Sequence, residues 1–306
     1  MDLPAFLHNA LAAQYGAGDT ERILKGYGHC RPASFRVNAL KTTVEEATAA
    51  LEREGIAVFS VPWYDHAFYT AAPQSIVENT NLYREGKIYL QSLSSMLPPL
   101  FLEPEAGESI LDMTAAPGGK TTQLAAMTQN GALVTACEKD AGRFERLKYN
   151  VEKQGASRVT LMHADALKLS DFFRFDKILL DAPCSGSGTL CNNEPVRITE
   201  KTFRGCMAAQ RALLKKAWGL LKQGGTLVYS TCSVLREENG EALSEILKQK
   251  NACLMPIDRD FGGASDRPVL SSLDVKIPTL PSPDGTLTVC PSSLYEGFFV
   301  AKLIKR

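Results

Sequence analysis

From Ile88 onward the chain sets short apolar runs between longer amphipathic stretches. The runs Ile110 to Met113, Leu133 to Cys137, Val159 to Met162, Ile178 to Leu180 and Leu227 to Tyr229 are too brief for helices and read as strands buried on both faces. Stretches such as Phe144 to Lys153 and Met207 to Leu221 carry helical periodicity between them. Strand and helix in alternation predict a doubly wound α/β domain, a parallel sheet with helices on both sides. A segment rich in Pro, Ser, Gly and Asp, Arg259 to Pro291, reads as one long loop before a final strand, Phe298 to Ile304.

Ahead of Ile88 the pattern is more compact. A helical leader over Phe6 to Tyr15 precedes a strand at Ser34 to Asn38. Thr43 followed by Glu46 forms a capping box that opens a helix to Glu54; Gly55 stops it and Ile56 to Phe59 begins another strand. The expected division is a smaller N-terminal α+β domain at 1–86 and a larger domain at 87–306. The small unit resembles RNA-binding folds in size but lacks an aromatic-rich recognition signature, so a plain packing role competes with RNA contact.

Lys plus Arg equals 34 and Asp plus Glu equals 34, so any contact with a polyanion has to come from one face and not from the whole surface. The first residues, Met1 to His8, lack a basic region followed by an apolar stretch, and no run approaches a membrane span. A cytoplasmic protein is expected. None of the eight cysteines forms a C-x-x-C pair, which favours reduced thiols over disulfides or a metal site. Cys30, Cys137, Cys206, Cys253 and Cys290 read as small core residues.

Two segments carry candidate chemistry. In Leu111-Asp112-Met113-Thr114-Ala115-Ala116-Pro117-Gly118-Gly119-Lys120-Thr121 a strand enters a glycine turn and then a helix, where backbone amides and the helix dipole meet a nucleotide-bearing cofactor. It is not a phosphate loop, because Thr114 stands where the first glycine of that motif belongs. Glu138 lies 19 positions after Gly119 at the end of the next strand, suited to ribose hydroxyls, and Asp165 follows the third strand, suited to the adenine end. Asp181-Ala182-Pro183-Cys184 and Thr231-Cys232-Ser233 each close a strand, so both thiols are expected at the carboxyl edge of the sheet beside the cofactor; Cys191 is given no role.

These motifs together, with Arg36-Val37-Asn38, Gln91 to Pro98 and Glu296-Gly297-Phe298-Phe299, resemble the RsmB/NOP2/Sun family of RNA cytosine-C5 methyltransferases over nearly the whole chain. The resemblance implies a Rossmann-like class I methyltransferase domain that uses S-adenosyl-L-methionine through Thr114, Ala115, Ala116, Pro117, Gly118, Gly119, Lys120, Glu138, Asp165 and Asp181. It implies Cys232 as nucleophile, Cys184 in product release, Asp181 on the N3 and N4 edge of cytosine, and Lys120 orienting the base. The implied partner is RNA, ribosomal ahead of transfer RNA, bound by a monomer of the bacterial type without a C-terminal RNA-binding module.

Thr189 to Pro195 lacks the basic pair, and Thr288 to Pro291 the arginine, that many members carry. Arg36, within a family motif, is expected either to dock RNA or to pair inside the small domain. A competing function is an RNA-binding ribosome-assembly factor, for which both thiols would be superfluous. A thiol redox protein fits poorly with cysteines 48 positions apart.

Overall fold

The computed structural model describes residues 3–192, 195–257 and 275–306 and opens on helix α1 (Ala5–Tyr27), which continues past Tyr15 through a kink at Gly16, φ 68°. Its buried face, Leu7, Leu11, Ile23 and Tyr27, packs on Ile198, Val234, Leu235 and Cys290. Tyr15 Oη donates to Val234 O at 2.5 Å, and Gln14 bonds both Val234 O and Arg236 N. The leader therefore braces the segment after Cys232.

Strand β1 (Ala33–Val37) leads to α2 (Val44–Arg53), capped reciprocally by Thr43 and Glu46 as expected. The next strand starts later than the apolar run: Ile56 and Val58 are buried before β2 (Phe59–Ser60). After β3 (Ala67–Thr70) come α3 (Gln74–Asn79), α4 (Asn81–Arg84) and β4 (Ile88–Leu90). The strands form an antiparallel sheet in the order β2-β3-β1-β4. Because β4 pairs with β1, this sheet extends to Leu90, beyond the expected boundary at 86.

The period of two along β1 sends Phe35 and Val37 to one face, against Ala47 and Leu51 of α2, and Arg36 to the other. Arg36 is completely buried, which removes it from RNA docking. One of its terminal nitrogens donates to Thr122 Oγ1 at 3.0 Å and Gly119 O at 3.3 Å, and Nε donates to Gln91 Oε1 at 3.4 Å. It ties the small sheet to the larger body. Arg36→Ala is expected to cost about 2–5 kcal/mol, from lost bonds to a buried charge and the void left behind. Chemical denaturation should record that loss with RNA affinity per folded molecule unchanged; full stability with weakened RNA binding would restore the docking reading.

After α5 (Leu97–Leu102) the larger sheet begins with β5 (Ser109–Asp112), α6 (Gly119–Met127), β6 (Leu133–Glu138), α7 (Ala141–Gln154) and β7 (Val159–His163). It continues with β8 (Phe175–Asp181), α8 (Glu200–Leu220) and β9 (Leu221–Thr231). Last come α9 (Ser244–Leu247), β10 (Ala252–Met255), β11 (Thr279–Leu280), β12 (Leu287–Val289) and β13 (Phe298–Lys305). The order is β11-β12-β13-β9-β8-β5-β6-β7, with β10 also on β13. Strands β5 to β9 are parallel and β13 is antiparallel.

The loop expected over Arg259 to Pro291 thus contains strands: Leu287-Thr288-Val289 is a buried triplet paired with β13, whereas 258–274 lies outside the described residues. Alternate residues fill the two layers, Leu111, Ile178 and Leu227 against Leu214 and Trp218 of α8, and Ile110, Leu179 and Val228 against Leu97 and Leu102 of α5. Strand order reverses between β5 and β8, which opens a crevice at their carboxyl ends, where doubly wound sheets bind ligands. Among the described residues no helix is long and apolar enough to cross a membrane.

Candidate active site

Past β5 the chain turns back through Thr114 to Gly118 and re-enters as α6. Ala115 N donates to Cys137 O at 2.9 Å, pinning the loop to β6, and Gly118 takes φ 109°, which favours glycine. Asp112 is 1% exposed; Thr121 Oγ1 donates to its Oδ2 at 2.7 Å, while Oδ1 has no hydrogen-bond partner among the described residues. Burial pushes the Asp112 carboxyl up to about 6 against the opposing pull of Thr121 and Lys120. A buried acceptor without a donor is the complement of a cationic group on a ligand.

Glu138 ends β6, also buried, with Oε1 accepting Asp140 N–H at 2.9 Å and Arg143 3.7 Å from Oε2. Asp165 caps a single helical turn, accepting Leu167 N–H at 3.0 Å. Glu138, Asp165, Thr114, Ala116, Asp181, Cys184 and Cys232 line one cleft of about 270 Å³. A second, of about 300 Å³, shares Thr114, Ala116 and Asp181 and adds Asp112, Ala115, Pro117, Gly119, Lys120, Ser95 and Glu296. Gly118 borders neither; it packs behind the loop against Leu147.

Lys120 lines the second cleft, its Nζ donating to Asp181 Oδ2 and Ser95 Oγ, each at 2.7 Å. Ser230 Oγ donates to Asp181 Oδ1 at 2.7 Å, and Thr114 Oγ1 to Asp181 O at 2.7 Å. The carboxylate is thus aimed from two sides, and its backbone carbonyl is held by a third bond.

The two sulfurs of Cys184 and Cys232 lie 3.1 Å apart, both half-buried and unbridged. The hydrogen bond to Cys232, together with burial, pushes the Cys184 thiol well above its usual range. Gly188 N donates to Cys232 O at 2.9 Å, and Ser187 and Ser233 hydroxyls meet at 2.9 Å. The loops cross so closely that a Cβ on Gly188 would fall 2.0 Å from Gly297 O.

All the residues singled out for chemistry in the sequence therefore converge, except that Arg36 and Gly118 support from behind. Sequence reasoning missed Glu238 and Asn239, which are buried under the cysteine loops: Glu238 accepts Ser185 N–H and Oγ–H at 2.6 Å each, and Asn239 Nδ2 donates to Ser233 O at 3.0 Å. In Arg236-Glu237-Glu238-Asn239-Gly240 they look like surface polar residues, and no local signal separates Glu238 from Glu237. Among the cysteines read as core, Cys137 and Cys290 are buried, Cys206 and Cys253 half-buried, and Cys30, in the link after α1, is exposed.

A doubly wound sheet with a glycine loop at the switch point and acidic groups on successive strand ends defines a Rossmann-like methyltransferase. A methyltransferase homolog protein from Pyrococcus horikoshii shares the fold at TM-score 0.82 and 32% identity, covering 99% of this chain and 96% of that one. The profile for the 16S rRNA methyltransferase RsmB/F family matches residues 99–304, and that for the ferredoxin-like domain of RsmF/B-like methyltransferases matches residues 3–77.

The chain belongs to the RsmB/F family, within the RsmB/NOP2/Sun methyltransferases. Ribosomal RNA small subunit methyltransferase F of Shewanella loihica is 37% identical over 284 residues, and that of Vibrio parahaemolyticus 35% over 282. Each alignment covers 89% of this chain and 56% of the relative, so the chain spans about half the length of these curated relatives. The family's cofactor is S-adenosylmethionine. Its groups fit the crevice: the unpartnered Asp112 oxygen and the Glu138 carboxylate suit its ammonium and ribose hydroxyls.

Proposed function

We propose that the protein methylates C5 of a cytosine in small-subunit ribosomal RNA, with Cys232 as covalent catalyst and S-adenosylmethionine as methyl source. The contact of two sulfurs at 3.1 Å beside the Lys120–Asp181 pair, on the wall of the cofactor cleft, carries this reading. Methylation of an exocyclic amine needs no thiol. C5 is a weak carbon nucleophile, and a thiolate adding to C6 makes it enamine-like. The cofactor supplies an electrophilic sulfonium methyl group.

Asp181, held by Lys120 and Ser230, serves the N3 and N4 edge, where N3 gains a proton as C6 is attacked, and Lys120 orients the base. Once C5 carries the methyl group its proton has to leave before Cys232 can be eliminated, and Cys184 assists that step; its contact with Cys232 at 3.1 Å supports this role. Glu138 and Asp165 serve the ribose and adenine, and Thr114 to Lys120 the rest of the cofactor. The relatives' names support small-subunit RNA over transfer RNA. Free thiols with a ribosomal substrate support action in the cytoplasm.

RNA carrying tritium at cytosine C5 tests the reading. Incubated with protein and S-adenosylmethionine, small-subunit RNA is expected to release one tritium for each methyl group gained. Methyl incorporation without tritium release would place the methyl group elsewhere and sink the assignment.

A further inference from the structure

Glu238 has no part in the chemistry above, yet it is fully buried six residues beyond Cys232. Arg236 pairs with Glu237 and Glu241, and no ion pair among the described residues includes Glu238. Both its oxygens are instead filled by Ser185, the residue next to Cys184: N–H to Oε1 and Oγ–H to Oε2, each at 2.6 Å. An acceptor on both oxygens is the pattern of an ionised carboxylate. Such a group, buried without a cation, is costly unless its charge is used.

The two sulfurs are too close for both to ionise, so when one proton leaves the pair the other stays on one of them. Which sulfur keeps it decides which one attacks. The other titratable groups around the pair are Asp181 from β8, Tyr229 from β9, Cys206 from α8 and Glu237 beside Glu238. Asp181 is engaged by Lys120 and Ser230, and burial pushes both Tyr229 and Cys206 up, toward their neutral forms. Glu238 is left as the negative group bonded directly to the Cys184 loop.

We propose that Glu238 is the positioning residue that divides the labour of the two sulfurs: anchored through Ser185, it holds the proton on Cys184 and leaves Cys232 as the sulfur that ionises. This rests on the reading of Cys232 as the attacking group and supplies its cause. Burial raises the Glu238 carboxyl against the bonds from Ser185 and Ser233, so the bias weakens as the pH falls and Glu238 gains a proton.

The test uses the full chain without RNA or cofactor, so that its result is independent of whether methyl transfer is observed. Iodoacetamide alkylation of each thiol is followed by peptide mass spectrometry over a pH series. In the parent, Cys232 is expected to react about tenfold faster than Cys184, since thiolate content governs the rate. Glu238→Gln should remove most of that preference, whereas Ser185→Ala, which keeps the charge, should retain most of it. An unchanged rate ratio in folded Glu238→Gln overturns the proposal, as does an equal collapse in both variants. If Glu238→Gln does not fold, the parent decides alone: a ratio that stays constant down the acid limb, or no preference at any pH, overturns it equally.

Discussion

Cys184→Ala protein mixed with small-subunit RNA and S-adenosylmethionine is expected to accumulate a covalent protein–RNA complex that survives denaturing electrophoresis, while Cys232→Ala forms none. With the sulfurs 3.1 Å apart, both can reach the same carbon, so distance alone does not rank them. Their surroundings do. Cys184 shares a hydrogen bond with Cys232, sits on the loop held by Glu238 and is pushed up, which favours its protonated form. A protonated thiol is a poor nucleophile; once Cys232 is bonded to C6 it no longer competes as a thiolate, so Cys184 can give its own proton to water and then take the C5 proton as a base.

Losing the attacking sulfur should lower methyl transfer by ~10⁴-fold or more, the scale on which covalent catalysts lose a nucleophile. Losing Cys184 should leave the first methyl transfer within about tenfold of the parent, because only thiolate stabilisation by one neutral bond is removed, and then stall turnover. Single-turnover methylation and gel-shifted adduct, measured on the same samples, separate the steps. An adduct in Cys232→Ala that is absent from Cys184→Ala would exchange the two roles and put the nucleophile at the end of β8.

What could be read from the sequence divides along the line between local and tertiary causes. The five parallel strands were visible because burial on both faces writes an uninterrupted apolar run, and the Thr43 to Glu46 cap because its donors and acceptors lie three residues apart. The site residues were visible because they end such a run or lie in the turn just beyond it. The role of α1 was not: its apolar face says that it packs, and nothing in it says that it packs behind Cys232. Arg36 and Glu238 were misread or missed for the same reason. A charged residue is normally solvated, and the partners that make burial tolerable here, Gly119, Thr122 and Ser185, are remote in sequence by 83, 86 and 53 positions. The strands within the expected long loop are short edges, β12 paired to β13 and β11 to β12, and that pairing outweighs their turn-rich surroundings.

Asp181→Asn is expected to lower kcat by roughly 10³-fold, within the range for a positioned acid–base group, and Lys120→Met by about 10²-fold. The double variant should be no slower than Asp181→Asn. The reason is the shared geometry: Lys120 reaches Asp181 and Ser95 at 2.7 Å each and has little exposure, so it acts on the base largely through the carboxylate it aims. Once the carboxylate is an amide, that aim has nothing to serve, and losses within one functional unit do not add. The step affected is addition of Cys232 to C6, because protonation at N3 makes C6 electrophilic. Trapping of the protein on RNA that contains 5-fluorocytosine should therefore slow in parallel with methylation in all three variants. Two losses that add in the double variant would assign Lys120 a separate contact with substrate or cofactor. Trapping at the parent's rate in Asp181→Asn would remove Asp181 from the addition step.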